Sequence, residues 1–192
     1  MTRHVRSGGG PPGEVRLIGG QWKRSKLPVA DRPGLRPTPD RVRETLFNWL
    51  GQDLTGWRVL DAFAGSGALG FEAASRGAAE VLLLESDATL VRSLVEVKTR
   101  LRAESLQVLR ADALAWIARC APARFDLVLL DPPFEPDCFD AALMAAAPTV
   151  APSGFIYLEA SREIPEPPAG YRRHRHLRAG AVHAHLFLRE PG

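Results

Sequence analysis

The chain has 192 residues, 45% hydrophobic and 24% charged, which is ordinary globular usage and excludes fibrous, collagen-like and wholly disordered readings, leaving one domain with a small appendage. The formal net charge is +3, but residues 1–50 carry ten Lys/Arg against four Asp/Glu, residues 51–160 nine against fifteen, and residues 161–192 six against three, so an acidic body lies between basic ends suited to a polyanion. No run approaches the roughly 18 apolar residues of a membrane span, the opening MTRHVRSGGGPPGE has no apolar signal core, and Cys120 and Cys138 form no CxxC pair, so a cytoplasmic protein with neither membrane anchor, disulfide scaffold nor metal site is expected.

Residues 1–13, with Gly8 to Pro12, read as a flexible tail. Residues 14–51 read as an N-terminal extension. In it, strands over 14–18 and 21–27 turn at Gly19-Gly20, a proline-rich loop covers 31–39, and a helix starting at Thr38 and Pro39 carries Val42, Leu46, Trp49 and Leu50 on one face. Residues 52–192 alternate strand and helix. Short apolar runs at 58–62, 81–84, 106–110, 125–130 and 154–159 read as strands buried on both faces. Helical stretches occupy 69–76, 88–102, 113–120 and 139–147, and two antiparallel strands follow at 171–177 and 181–188. The fold class is therefore α/β, a Rossmann-like, mostly parallel, doubly wound sheet with an antiparallel C-terminal strand and a small N-terminal hairpin and helix.

Ligands of such sheets sit at the carboxyl ends of the strands. After the first lies Asp61-Ala-Phe-Ala-Gly-Ser-Gly-Ala-Leu-Gly70, where glycines let the backbone turn tightly beside a ligand. Gly65, Gly67 and Gly70 satisfy GxGxxG, and with Glu85 they admit an NAD enzyme. Asp61 argues instead for a cationic ligand, since it would repel a pyrophosphate and suits the ammonium of S-adenosylmethionine. Glu85 would accept ribose hydroxyls, and Asp112 either an adenine amino group or the N-terminal amides of the following helix. The cofactor cradle expected from these ends is Asp61, Phe63, Ala64, Gly65, Ser66, Gly67, Leu69, Gly70, Glu85, Ser86, Asp87, Asp112 and Ala113, closed by Thr38.

The fourth strand ends in Asp131-Pro132-Pro133-Phe134. Two prolines fix φ and remove two N–H donors, so carbonyl oxygens stay outside any ladder. An exocyclic amino group is a poor nucleophile because its lone pair is delocalised. If Asp131 and the Pro132 carbonyl accept its two N–H bonds, the lone pair is directed at a methyl donor, while Phe134 stacks on the base.

Residues 15 to 189 resemble the RsmD-type methyltransferases. Besides the segments above, the resemblance rests on Arg16-Leu-Ile-Gly-Gly-Gln-Trp, Lys26-Leu-Pro, Gly34-Leu-Arg-Pro-Thr and Asp40-Arg-Val-Arg-Glu-Thr-Leu-Phe-Asn-Trp. It implies a class I enzyme that uses S-adenosylmethionine to methylate the N2 amino group of a guanine in small-subunit ribosomal RNA, with Asp131 to Phe134 at the reacting amino group. The expected partner is that RNA with ribosomal proteins bound, and the expected state is a monomer. The last strand departs from the family's GxVAYRLY pattern, reading Gly180-Ala-Val-His-Ala-His-Leu-Phe.

The RNA-contact candidates are Arg16, Trp22, Lys23, Arg24 and Lys26 on the hairpin and Arg36, Arg41 and Arg43 before the first body strand, Arg43 having an exposed helix surface as its alternative. His174, His176, His183 and His185 alternate along the terminal strands, each pair on one face, as an RNA-facing or solvated strand rather than a metal site. The rivals are a DNA amino methyltransferase, which needs a target-recognition segment for which no room remains, an NAD oxidoreductase, and a non-catalytic assembly factor.

Overall fold

Strands that must be apolar on both sides need helices on both sides, and the chain supplies them by alternation. The structure, a computed structural model, describes residues 13–30, 38–133 and 138–191; residues 1–12 of the tail, the loop at 31–37 with Arg36, and Phe134 lie outside the described residues, while Gly13, read as part of the tail, accepts from Val29 N–H at 2.8 Å. In chain order the elements are β1 (Glu14–Arg16), β2 (Lys26–Pro28), α1 (Asp40–Trp49), β3 (Arg58–Asp61), α2 (Ala68–Ser75), β4 (Glu80–Glu85), α3 (Ala88–Leu101), β5 (Leu106–Arg110), α4 (Ala113–Ile117), β6 (Phe125–Leu130), α5 (Cys138–Ala146), β7 (Val150–Ala160), β8 (Tyr171–Ala179) and β9 (Val182–Arg189).

The main sheet runs β5-β4-β3-β6-β7-β9-β8. Strands β3 to β7 pair in parallel, and β9 runs antiparallel to both β7 and β8. The chain leaves β3 toward β4 and β5, then crosses back to β6 and β7, so the order reverses between β3 and β6. Loops diverging there leave a crevice at the strands' carboxyl ends. On one face Val59, Leu83, Leu129, Tyr157 and Leu186 share a core with Leu46, Phe47, Phe71 and Leu94 of α1 to α3. On the other, Leu60, Val128, Ile156 and Phe187 meet Ile117, Phe139 and Leu143 of α4 and α5. Among the described residues no helix is long and apolar enough to cross a membrane.

The extension shares the first of these cores through Val15, Leu17, Leu27 and Val42. Its hairpin differs from expectation: β1 and β2 pair over three residues each, and 21–24 is a turn rather than strand. The donors that a longer ladder needs are drawn to α2. Ile18 and Gly19 donate their N–H groups to Glu72 at 2.8 and 2.7 Å, while Gln21 and Trp22 donate to the Ser75 carbonyl and hydroxyl at 2.8 and 2.9 Å. Gly20 has φ +71°, and a Cβ there would stand 1.8 Å from the Ser75 carbonyl oxygen, so the close approach requires glycine.

Glu72 is itself fully buried, with Arg76 Nε at 2.9 Å and Arg43 Nη1 at 3.6 Å. Arg43 therefore overturns both of its sequence readings. It is 0% exposed, donates to the Arg16 carbonyl at 2.9 Å and pairs with Asp40 at 2.6 Å, so it fastens α1 to β1 instead of presenting a cation to RNA.

The histidines also divide differently. A bulge between Arg173 and Arg175 in β8 turns His174 toward Phe155, 5.6 Å between ring centroids, away from the face on which His176 stacks with His183 and His185 at 5.3 and 4.7 Å. Three ring nitrogens there lie within 4.8 Å of one another. His185 is nevertheless committed: its Nε2 accepts from Ile164 N–H at 3.0 Å, leaving Nδ1 to donate to the Leu158 carbonyl at 3.4 Å. Neither nitrogen has a lone pair for an ion, and burial lowers the ring's pKa to about 4, keeping it neutral.

Candidate active site

The first strand end builds a cradle. Gly65 and Gly67 take positive φ values of 53° and 78°, and Gly67 begins α2 without a side-chain cap. A Cβ on Gly67 would meet Leu94 and Phe71 carbons at 2.7 Å, so this turn is pressed against the core and admits only glycine. The glycine N-cap brings no side chain of its own and Asp61 takes the Gly70 amide, so the Ala68 and Leu69 amides are those left for a ligand's oxygen atoms. Phe63 is partly buried, and Ala64 donates its N–H to the Leu84 carbonyl at 3.0 Å, tying the loop to β4. Ser66 is also partly buried, and Leu69 and Gly70 are buried.

Asp61 sits where expected, but its carboxylate serves the loop. It is 2% exposed, Oδ2 accepts from Gly70 N–H at 2.9 Å, and Phe63 N–H is a further donor. Burial, opposed by these bonds and aided by Glu85 and Glu159, pushes its pKa up to about 7. The standing anion expected from the sequence is thus a group whose charge depends on its neighbour, and a cation placed beside it restores the carboxylate.

Glu85 ends β4 with Oε2 accepting from Gly65 N–H at 3.0 Å and Oε1 from Asp87 N–H at 2.8 Å. Its two oxygens offer about four acceptor positions, so capacity remains for a diol. Ser86 is exposed and approaches Glu85 at 3.5 Å. Asp87 caps α3 through Thr89 and Leu90 N–H at 2.7 and 3.0 Å. Asp112 caps α4 through Ala115 N–H at 2.8 Å, with Ala113 buried behind it, so the helix-capping alternative for Asp112 is realised.

The fourth end carries Asp131, partly buried, then Pro132, buried, and Pro133, exposed. Among the described residues none donates a backbone hydrogen bond to the Pro132 carbonyl. Burial first, then Glu159 and Asp61, raise the Asp131 pKa well above the usual carboxylate range.

Glu159, at the end of β7, completes the site and escaped the sequence reading. In the β6–β7 register Leu129 pairs with Tyr157 and Leu130 with Leu158, so Asp131 and Glu159 follow as neighbours, and strand alternation puts both on the Asp61 side. Glu159 is 2% exposed, Tyr157 donates to its Oε1 at 2.8 Å, and the Thr38 hydroxyl bonds to it. Thr38, expected to close over the cofactor, is tied instead to Glu159 beside Asp131. The sequence carries the signal, since the strand read at 154–159 ends in a carboxylate.

On the extension, Arg16, Lys23, Arg24, Lys26 and Arg41 are exposed, while Trp22 is partly buried against the core. Lys26 pairs with Glu14 at 2.7 Å.

A family described as conserved hypothetical protein 95 matches residues 15–188. The ribosomal RNA small subunit methyltransferase D of Escherichia coli K12 is 42% identical over 182 residues, covering 93% of this chain and 91% of that protein. The solved structure of the yhhF protein of Escherichia coli superposes with a TM-score of 0.84 at 40% identity, covering 94% of this chain and 100% of that one. The 16S rRNA N2 methyltransferase RsmC of Thermus thermophilus, solved with AdoMet and guanosine, gives a TM-score of 0.66 at 25% identity, over 94% of this chain and 50% of that one. A class I methyltransferase sheet, a glycine cradle at its switch point and a match over nearly the whole length agree: the chain belongs to the conserved hypothetical protein 95 family, that of the RsmD methyltransferases.

Proposed function

We propose that this protein uses S-adenosylmethionine to methylate the N2 amino group of a guanine in small-subunit ribosomal RNA, in the cytoplasm, acting as a monomer on a partly assembled subunit with ribosomal proteins bound. The observation that carries this reading is the Asp131-Pro132-Pro133 corner lying across the switch point from the glycine cradle, with a carbonyl that no described amide claims. The relatives' names point to the same substrate class.

The residues present fit the cofactor: the cradle excludes a Cβ at Gly67, the N-cap of α2 is a glycine with no side chain to occupy its first amides, Glu85 keeps acceptor capacity, and Asp61 regains its charge beside a cation. When bound, S-adenosylmethionine supplies an electrophilic methyl group. Asp131 and the Pro132 carbonyl accept the two N–H bonds of the amino group and orient its lone pair. After transfer the nitrogen is strongly acidic, and Asp131, its basicity raised by burial, takes the proton. Phe134 stacks on the base, and a guanine in a helix must leave its stack to enter, which favours an exposed or loop base.

Mass mapping of ribosomal RNA from cells with and without this protein tests the reading: one small-subunit guanine is expected to lose a methyl group at N2, and an unchanged methylation map refutes it. The exposed basic residues of the extension supply sequence-independent phosphate contacts. Replacing Arg16, Lys23, Arg24 and Lys26 together is expected to weaken RNA binding and flatten the plot of log affinity against log salt by about three to four units of slope. A slope equal to wild type removes the extension from the RNA interface.

A further inference from the structure

Asp131 and the Pro132 carbonyl would hold any exocyclic amino group, whether on guanine, adenine or cytosine, so the corner alone does not choose a base. Guanine differs by its neighbouring donor: N1–H stands beside the N2 amino group on the Watson–Crick edge, whereas adenine offers a bare lone pair at N1. An acceptor beside the corner is what would read that difference.

Glu159 occupies that place. It follows Leu158 as Asp131 follows Leu130 across adjacent parallel strands, and the two carboxylates are close enough for Glu159 to raise the Asp131 pKa. Tyr157 and Thr38 donate to it from within the protein, taking two of about four acceptor positions and holding the side chain in one orientation. Burial raises the Glu159 pKa, while these two donors and the charge of Arg43 oppose that rise and favour a carboxylate that accepts rather than donates.

We infer that Glu159 accepts the N1–H of the target base and so makes the pocket select guanine over bases with an unprotonated N1. The inference rests on the guanine-N2 reading above. A 2,6-diaminopurine keeps the N2 amino group but has a lone pair at N1. Against an ionised Glu159 it sets acceptor against acceptor in a buried place, where an unpaired polar group is most costly.

The test measures binding of guanosine and of 2,6-diaminopurine riboside to the protein saturated with S-adenosylhomocysteine. Wild type is expected to prefer guanosine by about tenfold or more. Glu159→Gln, whose amide both accepts and donates, is expected to narrow that preference to within about threefold while S-adenosylhomocysteine affinity stays unchanged. Equal binding of the two nucleosides by wild type overturns the inference whatever the variant's stability, as does a variant that keeps the wild-type preference or loses S-adenosylhomocysteine binding in parallel. Failure of the guanine-N2 reading is separately visible, as a wild type that transfers no methyl group to small-subunit RNA.

Discussion

Asp131→Ala lowers methyl transfer at least about 10²- to 10³-fold, the loss expected when one preorganised polar contact to a reacting group is removed, while affinity for S-adenosylmethionine changes little. The separation follows from position. Asp131 follows β6, whereas the cradle is formed by the ends of β3 and β4, so the substitution leaves the Gly65, Gly67 and Glu85 contacts in place. Asp131→Asn divides the role further, since an amide oxygen still accepts one N–H bond but cannot take up the proton. It is expected to retain more activity than alanine. Equilibrium cofactor binding and single-turnover transfer check both variants, and a parallel loss of binding and turnover in Asp131→Ala defeats the assignment.

Glu72→Ala destabilises the fold by about 3–5 kcal/mol, because removing one partner of a buried ion pair strands the other charge. Here two guanidinium groups depend on it, Arg76 at 2.9 Å and Arg43 at 3.6 Å, and the Ile18 and Gly19 amides lose their acceptor. Arg43 has little in reserve, since its Nε and Nη1 already lack a hydrogen-bond partner among the described residues. For a chain of this length the change corresponds to a melting temperature lower by about 6–20 °C. Denaturant unfolding measures it, and a loss below about 1 kcal/mol would show that the Glu72 cluster does not anchor the extension.

The parallel sheet was legible because strands covered on both faces announce themselves as uninterrupted apolar runs: the bounds read for 125–130 coincide with β6, and those for 106–110 coincide with β5, although that strand lies at the sheet edge and leaves Gln107, Leu109 and Arg110 exposed instead of buried on both faces. The glycine cradle and the Asp131-Pro132-Pro133 corner were legible because backbone constraint is written into Gly and Pro themselves. What escaped was long-range pairing of charge. Glu72, Arg76 and Arg43 look like the polar positions of solvated helices, and only the packing of the extension onto α2 buries them. The same packing shortened the hairpin, since amides of Ile18 to Trp22 bind α2 rather than a partner strand. Glu159 escaped for a different reason: its significance depends on β7 lying beside β6, a matter of strand order that no local window carries.

Helix α2 spans eight residues, from Ala68 beside the glycine turn to Ser75 beneath the hairpin. Its first turn borders the glycine cradle, and its last turn grips the hairpin through Glu72 and Ser75. A rod this short transmits any tilt or slide to both ends, so the cradle and the hairpin, the proposed sites for donor and RNA, share one mechanical reference. Variants meant to alter RNA affinity alone are therefore best sought at the ribbon's exposed tip, where a side chain can change without moving the rod.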